Sequence, residues 1–192
     1  MRFSVISTDY DMHVPRHEVQ RGIDSIHSQT FQDFEWIIVH DGPKRIPYSE
    51  EYDLSHLRKK PIVVETCERM GSAGTYGRDY IMKNLAVGDF FVQFNINNIL
   101  YPNALELIDI NLRNSDCKIA IFNIFHHGLN RHLSGIPEPC KIDLLQLVAH
   151  RSIWRDVGYF FDKGPQADGV VYEKMCRLNT WVQISEKLGE NF

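Results

Sequence analysis

The apolar run Phe90-Phe91-Val92-Gln93-Phe94 leads into Asn95, Asn97 and Asn98. Such a run reads as a buried strand, and in an open α/β sheet ligands gather at the carboxyl ends of strands. Sites that hold phosphate there usually add acids, which carry a divalent cation against the phosphate charge. This chain has amides instead. An asparagine oxygen can coordinate a hard cation, but it contributes no charge.

Other residues could do chemistry at the same edge. Asp41 follows a strand-like run and precedes Gly42-Pro43, so its carboxylate either accepts a bond from a ligand or closes a turn on its own backbone. Arg78 follows Gly74 in a helical stretch and is either a bidentate phosphate donor or a solvated helix arginine. Asp168 lies just before a helix; it is either an N-cap, which lowers its pKa, or a general base for an acceptor hydroxyl. His40 touches a nucleotide or merely ends a strand. His126, His127 and His132 fit no standard metal spacing and read as a solvated loop. Gly71-Ser72-Ala73-Gly74 is by itself a weak phosphate signal, and there is no Walker loop, GxGxxG, GxSxG or HExxH.

Positioning these groups falls to a chain of 192 residues, enough for one domain with a sizeable core. At 43% hydrophobic and 24% charged, with net charge -4, it has an ordinary globular composition. That charge gives no reason to expect nucleic acid or an anionic membrane as main partner. No apolar run approaches the roughly 18 residues of a membrane span. The N-terminus enters a strand without a signal-peptide pattern. Cys67, Cys117, Cys140 and Cys176 form no CxxC pair and read as reduced thiols, so a cytoplasmic protein without structural zinc is expected.

Strands are predicted at Phe3 to Ser7, Phe34 to Val39, Ile62 to Thr66, the run ending at Asn95, and Ile119 to Phe125. Val19, Ile23 and Ile26 recur with helical spacing. A second helix is predicted from Gly74 to about Asn84, and a third starting at Pro102, a residue suited to the first helical position. Residues 44–60 read as loop with one helical turn. This alternation argues for a Rossmann-like, mostly parallel sheet flanked by helices. The second half is less regular: 126–139 reads as loop or hairpin, Leu144 to Ala149 as strand or helix, Val157 to Asp162 as a turn and Gly169 to Leu178 as a helix.

Together these pieces resemble family 2 nucleotide-sugar glycosyltransferases. The carrying residues are Ser4 to Tyr10, then Arg21 to Gly42, where a helix ends in a Ser-x-Gln-Thr-like turn and a strand ends in Asp41-Gly42. Gly74 to Asp79 is similar to the family's Gly-x-x-x-Arg-Asn segment, and Phe94 to Pro102 to its metal-binding strand end. Val157 to Phe160 and Ala167-Asp168 are similar to its Val-Gly-x-Phe and acidic base segments. The likeness spans nearly the whole chain and is strongest over the first 105 residues.

The resemblance implies a GT-A fold in a single domain, with residues 1–105 as the nucleotide-sugar half and 106–192 as the acceptor half. It implies an inverting hexosyltransferase-like enzyme of glycan biosynthesis, moving sugar from a UDP-linked donor to a hydroxyl of a glycan-type acceptor. Thr8 and Tyr10 would line the base pocket, Asp41 would bond the base, and Arg78 would lie near base or phosphates. Asn95 and Asn97 match the acids that contact ribose and metal, and Asp168 matches the catalytic base. With amides at those positions, manganese or magnesium would be held mainly by the donor, or the leaving group would be stabilised without metal, or the domain would bind a nucleotide sugar without transferring it. A nucleotidyltransferase is a further reading. Because the chain stops soon after Trp181, the C-terminal extensions of many relatives are expected to be absent.

Overall fold

The computed structural model describes residues 1–10, 14–161, 164 and 166–192, with the side chain of Ala73 left aside. Asp11, Asp162 and Pro165, which fall within segments of the sequence reading, lie outside the described residues. The first half alternates as expected. Strand β1 (Phe3–Asp9) is followed by helix α1 (Arg16–His27), β2 (Phe34–His40), the single turn α2 (Tyr48–Glu51), β3 (Ile62–Glu65), α3 (Thr75–Asn84) and β4 (Phe90–Asn95). Then come β5 (Ile99–Leu100), α4 (Ala104–Arg113), β6 (Ile119–His126), β7 (Arg131–Leu133), β8 (Leu147–His150), α5 (Arg151–Val157), α6 (Ala167–Leu178) and β9 (Val182–Asn191).

The sheet runs in the order β3-β2-β1-β4-β8-β6-β9-β5, with β7 beside β6. β3, β2, β1 and β4 are mutually parallel, as a chain of strand-helix crossovers requires. Beyond β4 the sheet is mixed: β8 runs antiparallel to both β4 and β6, whereas β9 runs parallel to β6. The α/β class holds, with parallel pairing concentrated in the first half.

Each central strand is buried on both faces, which is why these segments read as continuous apolar runs. Along β1, Val5 packs into a core under α1 and α4 with Ile23, Trp36, Phe94 and Leu105. Its neighbour Ile6 points the other way, into a core with Ile81, Phe91, Trp154 and Tyr172 under α3, α5 and α6. No helix among the described residues is long and apolar enough to cross a membrane.

Several local expectations are corrected. Pro102 lies outside α4, whose N-cap is Asn103. Leu144 to Ala149 is both readings in turn, a 3-10 turn at Leu144–Gln146 and then β8. The predicted turn from Val157 is preceded by α5, and β9 closes the sheet where no strand was predicted. The histidine-bearing segment is the β6–β7 hairpin.

The Ser-x-Gln-Thr-like turn has a clear physical task. Gln29, 2% exposed, donates to the carbonyls of Ser25, Leu100 and Tyr101 and accepts from the Leu105 amide at 3.1 Å. One buried amide thereby satisfies the first turn of α4 and ties it to α1 and β5. Close packing completes the joint: a Cβ on Gly22 would lie 1.9 Å from the Ile96 carbonyl oxygen. Gly22→Ala would gain helix propensity in isolation. Here it should instead destabilise the protein by about 3 kcal/mol, because the clash is with backbone. Urea unfolding measures this, and a neutral or stabilising alanine would show that the approach is looser.

Candidate functional site

The carboxyl ends of β1, β2 and β4 share one edge: Asp9 pairs in register with His40, and Thr8 with Asn95. Two cavities open there and meet at Asn95. The larger, about 250 Å³, is lined by Thr8, Asp9, Tyr10, Asp41, Asn95 and Asn97 among others. The smaller, about 150 Å³, has Thr75, Arg78, Asn95, Asp143, Phe160 and Asp168 in its wall. Thr8, Tyr10, Asp41, Arg78, Asn95, Asn97 and Asp168, all candidates of the sequence reading, each border one cavity or the other.

Asp41 does not bond its own turn. Its two carboxylate oxygens accept from the amides of Met70, at 2.7 Å, and Gly71, at 2.9 Å. It thus fastens the loop that delivers α3 to the edge, and the residue also lines the larger cavity. The loop ends at Gly74, in the left-handed region at φ +79°, and a Cβ there would lie 2.3 Å from Thr8 Oγ1. Glycine is required by both conformation and contact, and it brings the α3 N-terminus onto Thr8. Tyr10 has the Arg69 guanidinium over its ring at 4.3 Å, so one aromatic face is already covered by a cation.

Arg78 is not exposed, and it makes no salt bridge among the described residues. It is 0% exposed, and its guanidinium donates to the Ile6 carbonyl (3.0 Å), Gln93 Oε1 (3.2 Å) and Asn95 Oδ1 (2.7 Å). All three acceptors are neutral, and Nε has no partner. Burial brings its pKa down to about 10, offset partly by the Tyr172, Asp168 and Asp143 groups at longer range. The arginine remains a cation at neutral pH, buried without a contacting counter-charge among the described residues.

Asp168 is the second residue of α6 rather than its N-cap, which is Gln166. Its Oδ1 accepts from the Gly169 amide at 2.8 Å. Burial nevertheless dominates and raises its pKa, with the Asp143 charge adding to the rise and the Gly169 bond and Arg78 opposing it. The expected lowering by a cap does not win. A carboxylate poised in this way is a better base than a capped one.

The three asparagines separate. Asn95 sits between the cavities. Asn97 lines the larger one and donates to the Phe192 carbonyl at 3.4 Å. Asn98 is fully buried behind the strand end. A divalent cation fits this set poorly. Asn95 Oδ1 is engaged by a guanidinium, which would repel a metal on the same oxygen, and Asn97 alone offers one neutral oxygen. Among the described residues no group of three His, Cys, Asp or Glu could hold a metal. His126, His127 and His132 pack elsewhere, the last two edge-on against Phe125. His40 Nδ1 bonds the Gly42 carbonyl at 2.7 Å.

Sequence reasoning missed Asp9 and Asp143. Asp143 caps the 3-10 turn with Gln146 in a capping box, a signature visible as Asp-x-x-Gln. Asp9 accepts a hydrogen bond from the Tyr48 hydroxyl, a partner in α2, 39 residues away, that no local pattern announces. Burial raises the Asp9 pKa, against the lowering effects of Tyr48, His40, Lys44 and the Tyr10 amide.

No protein-family model matches the chain, and no curated protein matches it. Solved structures do. S. aureus TarS 1-349 in complex with UDP aligns with a TM-score of 0.76 at 13% identity, over 99% of this chain and 60% of that one. The complex of TarS 1-349 with UDP-GlcNAc gives 0.74 at 13%, over 99% and 58%. The mannosyltransferase PcManGT from Pyrobaculum calidifontis, in complex with GDP-Man and Mn2+, gives 0.75 at 13%, over 99% and 56%. At such identities the likeness is one of fold, and the chain spans between 56% and 60% of these structures' length.

Because the folded Asp9 carboxyl holds its proton more tightly than the unfolded one, its contribution to stability is greatest in acid and is lost as pH rises through the folded value. Asp9→Asn should therefore raise the melting temperature at pH 7 and raise it less at pH 4. Equal losses at both pH values would contradict this.

Proposed function

We propose that the chain binds a nucleotide sugar across the two cavities and transfers the sugar to an acceptor hydroxyl with inversion. The observation that carries this reading is the shared wall of the smaller cavity, which holds a base-like Asp168, the buried cation Arg78 and Asn95 together. The base would lie in the larger cavity beside Thr8, Tyr10 and Asp41, with the diphosphate passing Asn95. Fold similarity to structures solved with UDP, UDP-GlcNAc and GDP-Man supports a nucleotide sugar as ligand; a UDP-linked donor remains the reading of the sequence resemblance.

In the transfer, Asp168 takes the proton of the acceptor hydroxyl as its oxygen forms the new bond to the anomeric carbon. The bond from that carbon to the diphosphate oxygen breaks, and its electron pair leaves with the nucleoside diphosphate. Attack from the face opposite the leaving group inverts the anomeric centre. The acceptor is proposed to be of glycan type, seated by residues of the second half.

Asp168→Asn should reduce turnover by about 10²–10⁴-fold, the usual worth of a positioned base, while leaving nucleotide binding nearly intact. The wild-type base must be ionised to act, and burial raises its pKa. The acidic limb of kcat/KM should therefore lie above the ordinary carboxylate range, with activity falling as pH drops through it. Nucleoside diphosphate release from a panel of nucleotide sugars, with a hydroxyl acceptor, measures both. Full activity in Asp168→Asn would refute the assignment, and binding without turnover under any condition would make this a non-catalytic binding domain.

A further inference from the structure

The guanidinium of Arg78 is buried against three neutral oxygens, and the carboxylates Asp168 and Asp143 act on it only at longer range. A guanidinium can only donate hydrogen bonds. Asn95 must therefore turn its amide oxygen toward Arg78, which sends the NH2 group the other way, at the junction of the cavities. No described residue accepts from that NH2 group. The two carboxylates that border the larger cavity are committed elsewhere, Asp41 to the Met70 and Gly71 amides and Asp9 to Tyr48. The strand end thus presents a guanidinium with no carboxylate in contact among the described residues, the Asp168 and Asp143 charges reaching it only at longer range, and an N–H donor turned away from it, the opposite of a metal-binding pair.

We infer that Arg78 and Asn95 together neutralise the leaving nucleoside diphosphate, Arg78 as the resident cation and Asn95 as the donor it orients, in place of a divalent metal. The inference rests on the nucleotide-sugar reading above. As the bond between anomeric carbon and diphosphate oxygen breaks, the electron pair goes to the phosphate, and the added negative charge is met by a preorganised positive field. An aspartate at position 95 would ion-pair with Arg78 and cancel that field. The amide is therefore the form of residue 95 that keeps the arginine's charge available.

Asn95→Asp separates the possibilities, read by calorimetric titration with UDP and with GDP, each in EDTA and in manganese. Wild type should bind one of the two diphosphates with affinity unchanged within about two-fold by EDTA. In EDTA, Asn95→Asp should bind at least ten-fold more weakly, and manganese should restore much of the loss. Without ligand the same variant should melt higher than wild type, since Arg78 gains a counter-charge: a gain in stability with a loss of binding. Asn95→Ala, which removes the donor and leaves the cation, should weaken binding several-fold with no rescue by manganese.

Wild-type binding that EDTA abolishes and manganese restores would overturn the inference while keeping the nucleotide reading. So would Asn95→Asp binding as tightly as wild type in EDTA. Failure of wild type to bind either diphosphate in both conditions would remove the nucleotide reading and the inference with it.

Discussion

The guanidinium of Arg78 reaches from α3 to the Ile6 carbonyl in β1 and to Gln93 and Asn95 in β4, so one side chain joins a helix to the two central strands. Burying a charge is unfavourable by several kcal/mol unless hydrogen bonds or an opposite charge compensate it. Here the hydrogen bonds are present, and the opposite charges, on Asp168 and Asp143, act only at longer range. The rest of the edge is arranged around this imbalance. Gly74 lets α3 approach Thr8, and Asp41 holds the loop before it, so the arginine enters the sheet at a fixed angle.

The same edge gathers its acids on opposite terms. Asp41 is held by two backbone amides and serves as a fastener as much as a wall. Asp168 and Asp9 are shifted toward the protonated form by burial, the former beside the cavity that Arg78 enters. A base that recovers its proton affinity through desolvation, in the wall of the same cavity as a cation that keeps its charge, is a pairing suited to removing a proton and receiving negative charge in one pocket.

Much of the architecture was legible because β1, β2 and β4 are buried on both faces and write continuous apolar runs. Asp168, Asp41 and the asparagines were legible as well, because strand ends and helix starts carry turn chemistry. Arg78 was legible only in position. It lies three and four residues before Ile81 and Met82, so helical spacing places it on their buried face. Its acceptors come from strands far away in sequence, and no local pattern announces them. β9 escaped notice because its pairing with β6 shifts register twice around Asn123, which breaks the period-two alternation, and because much of its outer side is polar. The Tyr48 bond to Asp9 was invisible for the same reason as Arg78's acceptors.

The most direct measurement is a crystal structure of the protein grown with UDP and manganese. The expected result places the uracil beside Thr8 and Tyr10, with the diphosphate at Asn95, its oxygens accepting from the Asn95 NH2 group and lying near Arg78. Asn95 Oδ1 remains bonded to the guanidinium. A manganese ion coordinated by Asn95 Oδ1 and Asn97, with Arg78 displaced, would contradict the account, as would UDP bound away from this edge.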